Sequence, residues 1–162
     1  MKTTFYKKPT IILVDDHLIF RQGLKSLING ENLGKVIGEA SDGKEFIKLL
    51  SLPAPDLVLM DIDMPHMNGM EATQKALEIK PDLKIIVFSM FGDEEYYKKM
   101  IELGVKGYIL KSTGINEVEQ AIADVMNGKT YFSTVIPKNI IDKQHEKKEQ
   151  KTKESKDPIP WW

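Results

Sequence analysis

Chemically reactive side chains follow four separate apolar segments of this sequence. They are three carboxylates, one hydroxyl and one ammonium, carried by Asp15, Asp16, Asp61, Ser89 and Lys111. Clustered carboxylates repel one another, so without a cation at least one of them should bind a proton more tightly than usual. A hard divalent cation at the same place would instead hold all of them ionised.

This set of side chains suits magnesium and a phosphoryl group. Mg2+ prefers carboxylate and carbonyl oxygen, and in proteins it typically bridges to phosphate. A phosphoryl group on Asp61 would have the metal ion on one side, while Lys111 would neutralise one of its oxygens and Ser89 would donate to another. Because a carboxylate nucleophile yields an acyl phosphate that is energy-rich and hydrolysable, the pattern predicts a timed switch with Asp61 as phosphoacceptor.

The apolar segments alternate with segments of helical period, which indicates strand-helix units and a parallel sheet covered on both faces. The predicted strands are Thr10 to Val14, Lys35 to Ala40, Asp56 to Met60, Leu83 to Phe88 and Lys106 to Leu110. The predicted helices are Leu18 to Ile28, Glu45 to Leu50, one that begins after Gly69 and is stopped by Pro81, about Asp93 to Leu103, and about Asn116 to Met126. Five such repeats with right-handed crossovers predict an α/β, doubly wound sheet.

The carboxyl ends of the strands are where an open parallel sheet binds its ligands. The reactive side chains end predicted strands one, three, four and five, so the topology should bring them to one edge. Taken singly, each has an ordinary explanation, because acidic residues and serines often cap helices and lysines often face solvent. Their joint placement at four strand ends is what favours a functional site.

Composition narrows the class of protein. The 162 residues, 41% hydrophobic and 29% charged, suit one globular domain with an appendage. Cysteine is absent, which excludes disulfides and thiolate zinc sites, and the histidines at 17, 66 and 145 show no metal-ligand spacing. The net charge of -1 predicts no general affinity for nucleic acid. Since no stretch could span a bilayer, we expect no membrane contact and a cytoplasmic location.

The apolar pattern ends after Ile136. Lys138 to Asp157 is rich in lysine and acidic residues, so it should be a solvated helix or a disordered linker. We therefore predict a phosphoacceptor domain over residues 8–130 and a charged linker or tail over residues 131–162.

Short motifs occur in a fixed order along residues 8–130. They are Ile12-Leu13-Val14-Asp15-Asp16-His17, Arg21-Gln22-Gly23-Leu24, Gly38-Glu39-Ala40, Asp56-Leu57-Val58-Leu59-Met60-Asp61, Met64-Pro65, Met67-Asn68-Gly69, Ser89-Met90, Lys106-Gly107-Tyr108 and Leu110-Lys111. Together they resemble the receiver domains of bacterial two-component response regulators. The resemblance is greatest to the subfamily whose receivers precede a LuxR-type helix-turn-helix domain.

This resemblance implies a particular fold and a particular metal site. The fold would be (βα)5 and flavodoxin-like, with five parallel strands in the order 2-1-3-4-5 and helices on both faces. A sensor histidine kinase would phosphorylate Asp61. The Mg2+ ligands would be Asp15, Asp16, Asp61 and the backbone carbonyl of Asp63.

The resemblance also implies a conformational switch. Ser89 and Tyr108 would rearrange together on phosphorylation and reshape the face formed by helix four, strand five and helix five. Taken alone, however, an aromatic residue such as Tyr108 in a strand beside glycine usually serves core or edge packing. A homodimer formed on phosphorylation is a further partner that the family would allow.

Transcription control would require an output domain. A helix-turn-helix needs several helices after the receiver, and Lys138 to Trp162 is too short and too charged to supply them. We therefore expect the chain to be the receiver and linker of a longer transcription factor, stopped near Pro160, which contacts DNA only through the missing domain.

Three positions depart from the commonest family pattern. Asp63 adds an acidic side chain near the acceptor, where it would assist hydrolysis, recruit water or face solvent. Ser112 replaces a frequent proline, so a cis peptide is not expected there. Phe91 lies two residues beyond Ser89 and would shield the acyl phosphate.

Three other functions compete with the receiver. An aspartyl-phosphate hydrolase of the haloacid dehalogenase type would use Asp61 and Asp63 as its Asp-x-Asp motif. That fold normally opens with the strand that carries this motif and needs a late acidic motif. Here the acidic pair Asp15-Asp16 comes first, and nothing after Lys111 supplies the late motif. A receiver fold that has lost phosphorylation would not need the full set of reactive side chains. A nucleotide-binding flavodoxin-like domain lacks support, because neither a P-loop nor Gly-x-Gly-x-x-Gly is present.

Overall fold

The computed structural model describes residues 7–62, 64, 66–90, 94–112 and 116–133. Strands and helices alternate along these residues, as the sequence predicts. The elements are β1 (Thr10–Val14), α1 (Leu18–Gly30), β2 (Lys35–Ala40), α2 (Gly43–Leu49), β3 (Leu57–Asp61), α3 (Gly69–Ile79), β4 (Lys84–Ser89), α4 (Glu94–Leu103), β5 (Gly107–Leu110), α5 (Val118–Met126) and β6 (Tyr131–Phe132).

The strands form one parallel sheet in the order β2-β1-β3-β4-β5-β6. The predicted order of the first five strands is therefore confirmed. The sheet has six strands rather than five, because Tyr131 donates its N–H to the Lys106 carbonyl and Ser133 donates its N–H to the Tyr108 carbonyl, both at 2.9 Å. This two-residue strand is too short to produce an alternating pattern, and it lies just past residue 130.

Apolar side chains fill both faces of the sheet, which is why the central strands read as continuous apolar runs. On one face, strand residues pack with α2, α3 and α4. The core of that layer includes Ile12, Val14, Val58, Met60, Ile85, Val87, Phe46, Ala72, Ala76, Met100 and Ile101. On the other face, strand residues pack with α1 and α5. The core of that layer includes Ile11, Leu13, Leu57, Leu59, Ile86, Phe88, Ile109, Leu24, Ile28, Ala121, Ile122 and Val125.

Three of the helices have an end that is fixed by a capping side chain or by a glycine. Asp42 caps α2 by accepting the N–H of Glu45, and Asn68 caps α3 by accepting the N–H of Glu71, each at 2.9 Å. Helix α4 ends before Gly104, whose φ of +103° lies in the region that favours glycine. The loops that follow the strands therefore begin and end at defined positions around the carboxyl edge of the sheet.

The predicted tail falls almost wholly outside the described residues. Residues 134–162 are not described, so the division into a domain and a charged tail stays a prediction. Within the described ranges, none of the helices has the length and apolar character needed to cross a bilayer.

Candidate functional site

Backbone pairing carries the reactive residues to the carboxyl edge of the sheet. Asp15 directly follows β1 and continues its ladder by donating its N–H to the Ala40 carbonyl at 3.0 Å. Asp61 is the last residue of β3 and pairs with Phe88 of β4. At the end of β5, Lys111 donates its N–H to the carbonyl of Ser89 at 2.8 Å. The strands themselves thus set the relative positions of these residues.

The three predicted carboxylates converge. One oxygen from each of Asp15, Asp16 and Asp61, together with Nδ1 of His17, form a group whose atoms all lie within 4.8 Å of one another. Asp15 and Asp61 are 3% and 2% exposed, whereas Asp16 reaches solvent. The site is therefore a small acidic pocket in which two carboxylates are buried and the third is open to solvent.

Lys111 supplies the positive charge of the pocket. Its Nζ lies 2.8 Å from Oδ2 of Asp15 and 3.4 Å from Oδ1 of Asp61. The ammonium also lies 4.6 Å from the centre of the Phe20 ring, a cation–π contact. Because the lysine side chain is almost fully buried, it is held between the two carboxylates instead of extending into solvent.

Asp61 is the electrostatically strained member of the pocket. Its Oδ2 is buried and has no hydrogen-bond partner among the described residues. Burial, followed by the nearby negative charge of Asp15, raises the pKa of Asp61 to about 7, and Lys111 offsets part of this rise. The raised pKa agrees with the expectation that one of the clustered carboxylates binds a proton more tightly than usual.

The pocket has the donor set of a hard divalent cation. Three carboxylates face one another, and the buried Oδ2 of Asp61 lacks the hydrogen bond that a buried carboxylate oxygen normally makes. A cation with oxygen ligands would satisfy this oxygen and remove the repulsion that raises the pKa of Asp61. The residues present therefore fit Mg2+, with Asp15, Asp16 and Asp61 as side-chain ligands.

His17 is a member of the pocket that the sequence did not predict. Its Nδ1 lies 3.1 Å from Oδ1 of Asp15, 3.4 Å from Oδ1 of Asp16 and 3.8 Å from Oδ2 of Asp61. The spacing of the three histidines along the chain does not predict this position, because it is not that of metal ligands. The available signal was its position directly after Asp15-Asp16, in the loop where the carboxylates converge.

A second layer of charges holds the β1–α1 loop in place. An Nη1 of Arg21 donates to the Asp15 carbonyl at 2.5 Å, and Nε of the same arginine donates to Glu39 at 3.1 Å. Lys25 donates to the other Glu39 oxygen at 3.0 Å. Burial would raise the pKa of Glu39, but the hydrogen bonds from Lys25 and Arg21 outweigh it and lower that pKa. Helix α1 and strand β2 thus anchor the backbone that carries the acidic pair.

Gly69 allows α3 to start directly against β3. Its N–H donates to the Ile62 carbonyl at 2.7 Å. A Cβ at this position would lie 2.7 Å from Cα of Ile62 and would collide with the carbonyl oxygen of Asp61. The absence of a side chain at residue 69 therefore fixes how closely α3 approaches the backbone of Asp61.

Of the remaining predicted residues, Ser89 and Tyr108 are described by the structure, whereas Asp63 and Phe91 are not. Ser89 is buried at the end of β4. Tyr108 is fully buried, and its ring packs edge-to-face against Tyr97 of α4, with the centroids 4.6 Å apart. Asp63 and Phe91 lie outside the described residues, so the predicted carbonyl ligand and the predicted shield stay predictions. In the described parts of the chain there is no cis peptide bond, as expected for Ser112.

An open apolar cavity of about 550 Å³ adjoins the acidic pocket. Ile19 and Met90 on its rim are 89% and 59% exposed. The residues lining it are His17, Ile19, Phe20, Met90, Lys111 and Ser112. A partner that approaches the pocket from this side would therefore meet an apolar surface.

Comparison with known proteins places this geometry in a family. The model of the response regulator receiver domain matches residues 11–123. The chain is 34% identical over 134 residues to the transcriptional regulatory protein DegU of Brevibacillus brevis, covering 83% of this chain and 57% of that protein. It is 34% identical over 150 residues to the oxygen regulatory protein NreC of a Staphylococcus aureus strain, covering 92% of this chain and 69% of that protein.

Solved structures agree with the sequence relatives. The crystal structure of a LuxR-family two-component response regulator from Aurantimonas is 32% identical, with a TM-score of 0.78, and the match covers 86% of this chain and 99% of that chain. The chain spans 57% of DegU and 61% of the response regulator GacA of Pseudomonas aeruginosa, about three fifths of these curated relatives. With the family model, the relatives and the fold in agreement, the chain belongs to the response regulator receiver domain family.

Proposed function

We propose that this receiver is a phosphorylation switch in which Asp61 accepts a phosphoryl group from a sensor histidine kinase in the presence of Mg2+. The observation that carries the proposal is the state of Asp61 itself. Its carboxylate is 2% exposed, one oxygen faces the Lys111 ammonium, and the other oxygen has no hydrogen-bond partner among the described residues. Burying a carboxylate oxygen without a hydrogen-bond partner costs free energy. Such perturbed groups occur mostly at functional sites.

The phosphoryl transfer forms one bond and breaks one bond. An oxygen of Asp61 attacks phosphorus, the phosphorus–nitrogen bond of a phosphohistidine breaks, and the imidazole leaves with the electron pair and gains a proton. Lys111 is placed to neutralise an oxygen of the transferred group, since its Nζ already lies 3.4 Å from Oδ1 of Asp61. Mg2+ bound by Asp15, Asp16, Asp61 and the Asp63 carbonyl would supply further positive charge to the phosphoryl oxygens.

The switch would pass from the pocket to α4 and β5. Ser89 and Lys111 are joined through a backbone hydrogen bond at the ends of β4 and β5, and Tyr108 lies in β5, which Lys111 directly follows. Tyr108 in turn packs against Tyr97 of α4. A phosphoryl group that draws Ser89 and Lys111 toward itself would therefore shift the population of states on the α4-β5-α5 face.

The names of the relatives support a biological output for this receiver. DegU, NreC and GacA are named as regulators, and the chain covers only part of each. We place this receiver in transcription regulation, where the altered face would control a DNA-binding domain outside this chain and would favour a homodimer. In this role the receiver is a phosphoacceptor that assists its own phosphorylation and dephosphorylation.

Beryllofluoride mimics the phosphoryl group and gives a direct test of the switch. Amide NMR spectra of the wild type with beryllofluoride and Mg2+ should change at the pocket and along α4, β5 and α5. Asp61→Asn should abolish these changes, whereas Asp82→Asn, at an exposed aspartate in the loop before β4, should keep them. Changes that persist in Asp61→Asn, or that do not require Mg2+, would contradict the proposal.

A further inference from the structure

The imidazole of His17 points into the acidic pocket. His17 is the N-cap residue of α1, yet its side chain makes no capping hydrogen bond. The ring is 55% exposed, so it is not held there by packing in the core. Its Nδ1 nevertheless lies within 4 Å of carboxylate oxygens from Asp15, Asp16 and Asp61.

This ring nitrogen lies between a carboxylate and an ammonium. Nδ1 lies 3.1 Å from Oδ1 of Asp15 and also 3.1 Å from Nζ of Lys111. A carboxylate only accepts a hydrogen bond and an ammonium only donates one, so a single ring nitrogen can satisfy one of these neighbours at a time. A metal ion would instead accept electron pairs from the imidazole and from the carboxylates together, and the Lys111 ammonium would then have to release Nδ1.

The distances from Nδ1 to the carboxylate oxygens are close to those between neighbouring ligands in a coordination shell. Metal–ligand distances of about 2.0–2.2 Å place neighbouring ligand atoms roughly 3 to 3.5 Å apart. The distances from Nδ1 to the three carboxylate oxygens run from 3.1 to 3.8 Å. An independent sign of a missing ligand is the buried Oδ2 of Asp61, which has no hydrogen-bond partner among the described residues and is the oxygen 3.8 Å from Nδ1.

The nitrogen ligand changes which metal the pocket should prefer. Mg2+ takes oxygen ligands, whereas imidazole suits Zn2+, Ni2+, Co2+ and related ions, whose affinities follow the Irving–Williams order. We propose that the pocket is also a binding site for divalent transition ions, with Nδ1 of His17 as a fourth protein ligand beside the three carboxylates. This inference rests on the proposed function in that it uses the same carboxylates.

Such a site has a consequence for signalling. A transition ion held by His17 would compete with Mg2+ for the same carboxylates. It would also place the imidazole at one coordination position, which a phosphoryl oxygen could then not take. The identity of the bound metal would therefore regulate whether Asp61 can be phosphorylated.

Calorimetric titration with Co2+ and with Mg2+, on untagged metal-free protein, tests the inference. His17→Asn keeps a favoured N-cap residue at the start of α1, so the variant should fold. Removing a group that only orients a metal ligand typically lowers metal affinity roughly 10–100-fold. We expect the Co2+ affinity of His17→Asn to fall by at least this much. Its Mg2+ affinity should stay within about twofold, because the oxygen ligands are unchanged. Equal Co2+ affinity in the variant and the wild type would overturn the inference.

Two further measurements separate ligation by His17 from indirect effects. His66→Asn is the matched control, because His66 is exposed at a φ of +67° that asparagine tolerates, and it should bind Co2+ like the wild type. NMR of the Co2+ form should show strongly shifted imidazole resonances that disappear in His17→Asn but persist in His66→Asn. Their persistence in His17→Asn would refute ligation by His17.

The outcome for the metal is independent of the outcome for the phosphoryl group. If Asp61 accepts a phosphoryl group while Co2+ affinity does not depend on His17, the inference fails and the proposed function stands. If Co2+ binding depends on His17 but Asp61 is never phosphorylated, the proposed function fails and the metal site stands.

Discussion

Replacing Asp61 by asparagine should stabilise the metal-free protein above neutral pH. The pKa of Asp61 is raised from 3.8 to about 7, so between these values the folded state holds a proton that the unfolded chain has released. Stability therefore falls as the pH rises through this window, and the full cost is present above about pH 7. Asparagine has the same shape and carries no charge, so it removes this cost.

The size of the effect follows from the shift of the pKa and from what asparagine loses. About three pKa units correspond to about 4 kcal/mol, which is an upper limit. Asparagine gives up the contact between Oδ1 and the Lys111 ammonium, which lies 3.4 Å away. We therefore expect Asp61→Asn to raise the free energy of unfolding by about 1–3 kcal/mol at about pH 8, and by progressively less toward about pH 5.

Urea unfolding in the presence of a chelator measures this difference. The free energy of unfolding is compared for the wild type and Asp61→Asn at several pH values between about 5 and 8, with unchanged denaturant slopes as the sign of a simple stability effect. Asp82→Asn is the control, since that side chain is exposed and should show no such trend. A variant that is no more stable than the wild type at about pH 8, or a difference that does not change with pH, would refute the reasoning.

Three further predictions concern the same pocket. Mg2+ affinity should fall about tenfold for each pH unit below about 7, because the ion must displace a proton from Asp61; a flat calorimetric profile between about pH 5 and 7 would contradict this. Lys111→Gln removes the ammonium from the pocket, so Mg2+ should bind more tightly. Labelling of the protein by acetyl phosphate at saturating Mg2+ should become about 10²-fold slower. If Mg2+ affinity and labelling rate both rose or both fell, the proposed roles of Lys111 would be contradicted. Gly69→Ala should cost about 1–3 kcal/mol in urea unfolding, because its methyl group would lie 2.7 Å from Cα of Ile62. Gly23→Ala, in α1 with open space around it, is the matched control and should not destabilise the fold.

The convergence of the carboxylates was predictable from local pattern, whereas the order of the strands was predicted from the resemblance to receiver domains. Buried parallel strands read as apolar runs, and the residues after those runs must meet at one edge. The boundaries were less exact. The third strand begins at Leu57 and not at Asp56, whose side chain accepts the N–H of Thr10 at 2.8 Å.

The features that sequence reasoning missed depend on tertiary contacts. His17 joins the carboxylates because β3 places Asp61 beside the loop that follows β1, and the sign of this in the sequence is its position directly after Asp15-Asp16. Strand β6 exists because two residues, Tyr131 and Phe132, reach the edge of β5 after α5 has crossed the sheet. Tyr131 also donates a hydrogen bond to Glu117, a contact that no pattern along the sequence predicts. Burial and this hydrogen bond raise the pKa of Tyr131 to about 12.

The central claim is that Asp61 carries the phosphoryl group, and chemical trapping tests it most directly. The protein is incubated with acetyl phosphate and Mg2+, then reduced with borohydride, which converts an aspartyl phosphate to homoserine. Peptide mass mapping should find homoserine at residue 61 only when both acetyl phosphate and Mg2+ are present. Homoserine at another aspartate, or no conversion of Asp61 under conditions in which the folded protein binds Mg2+, would contradict the claim.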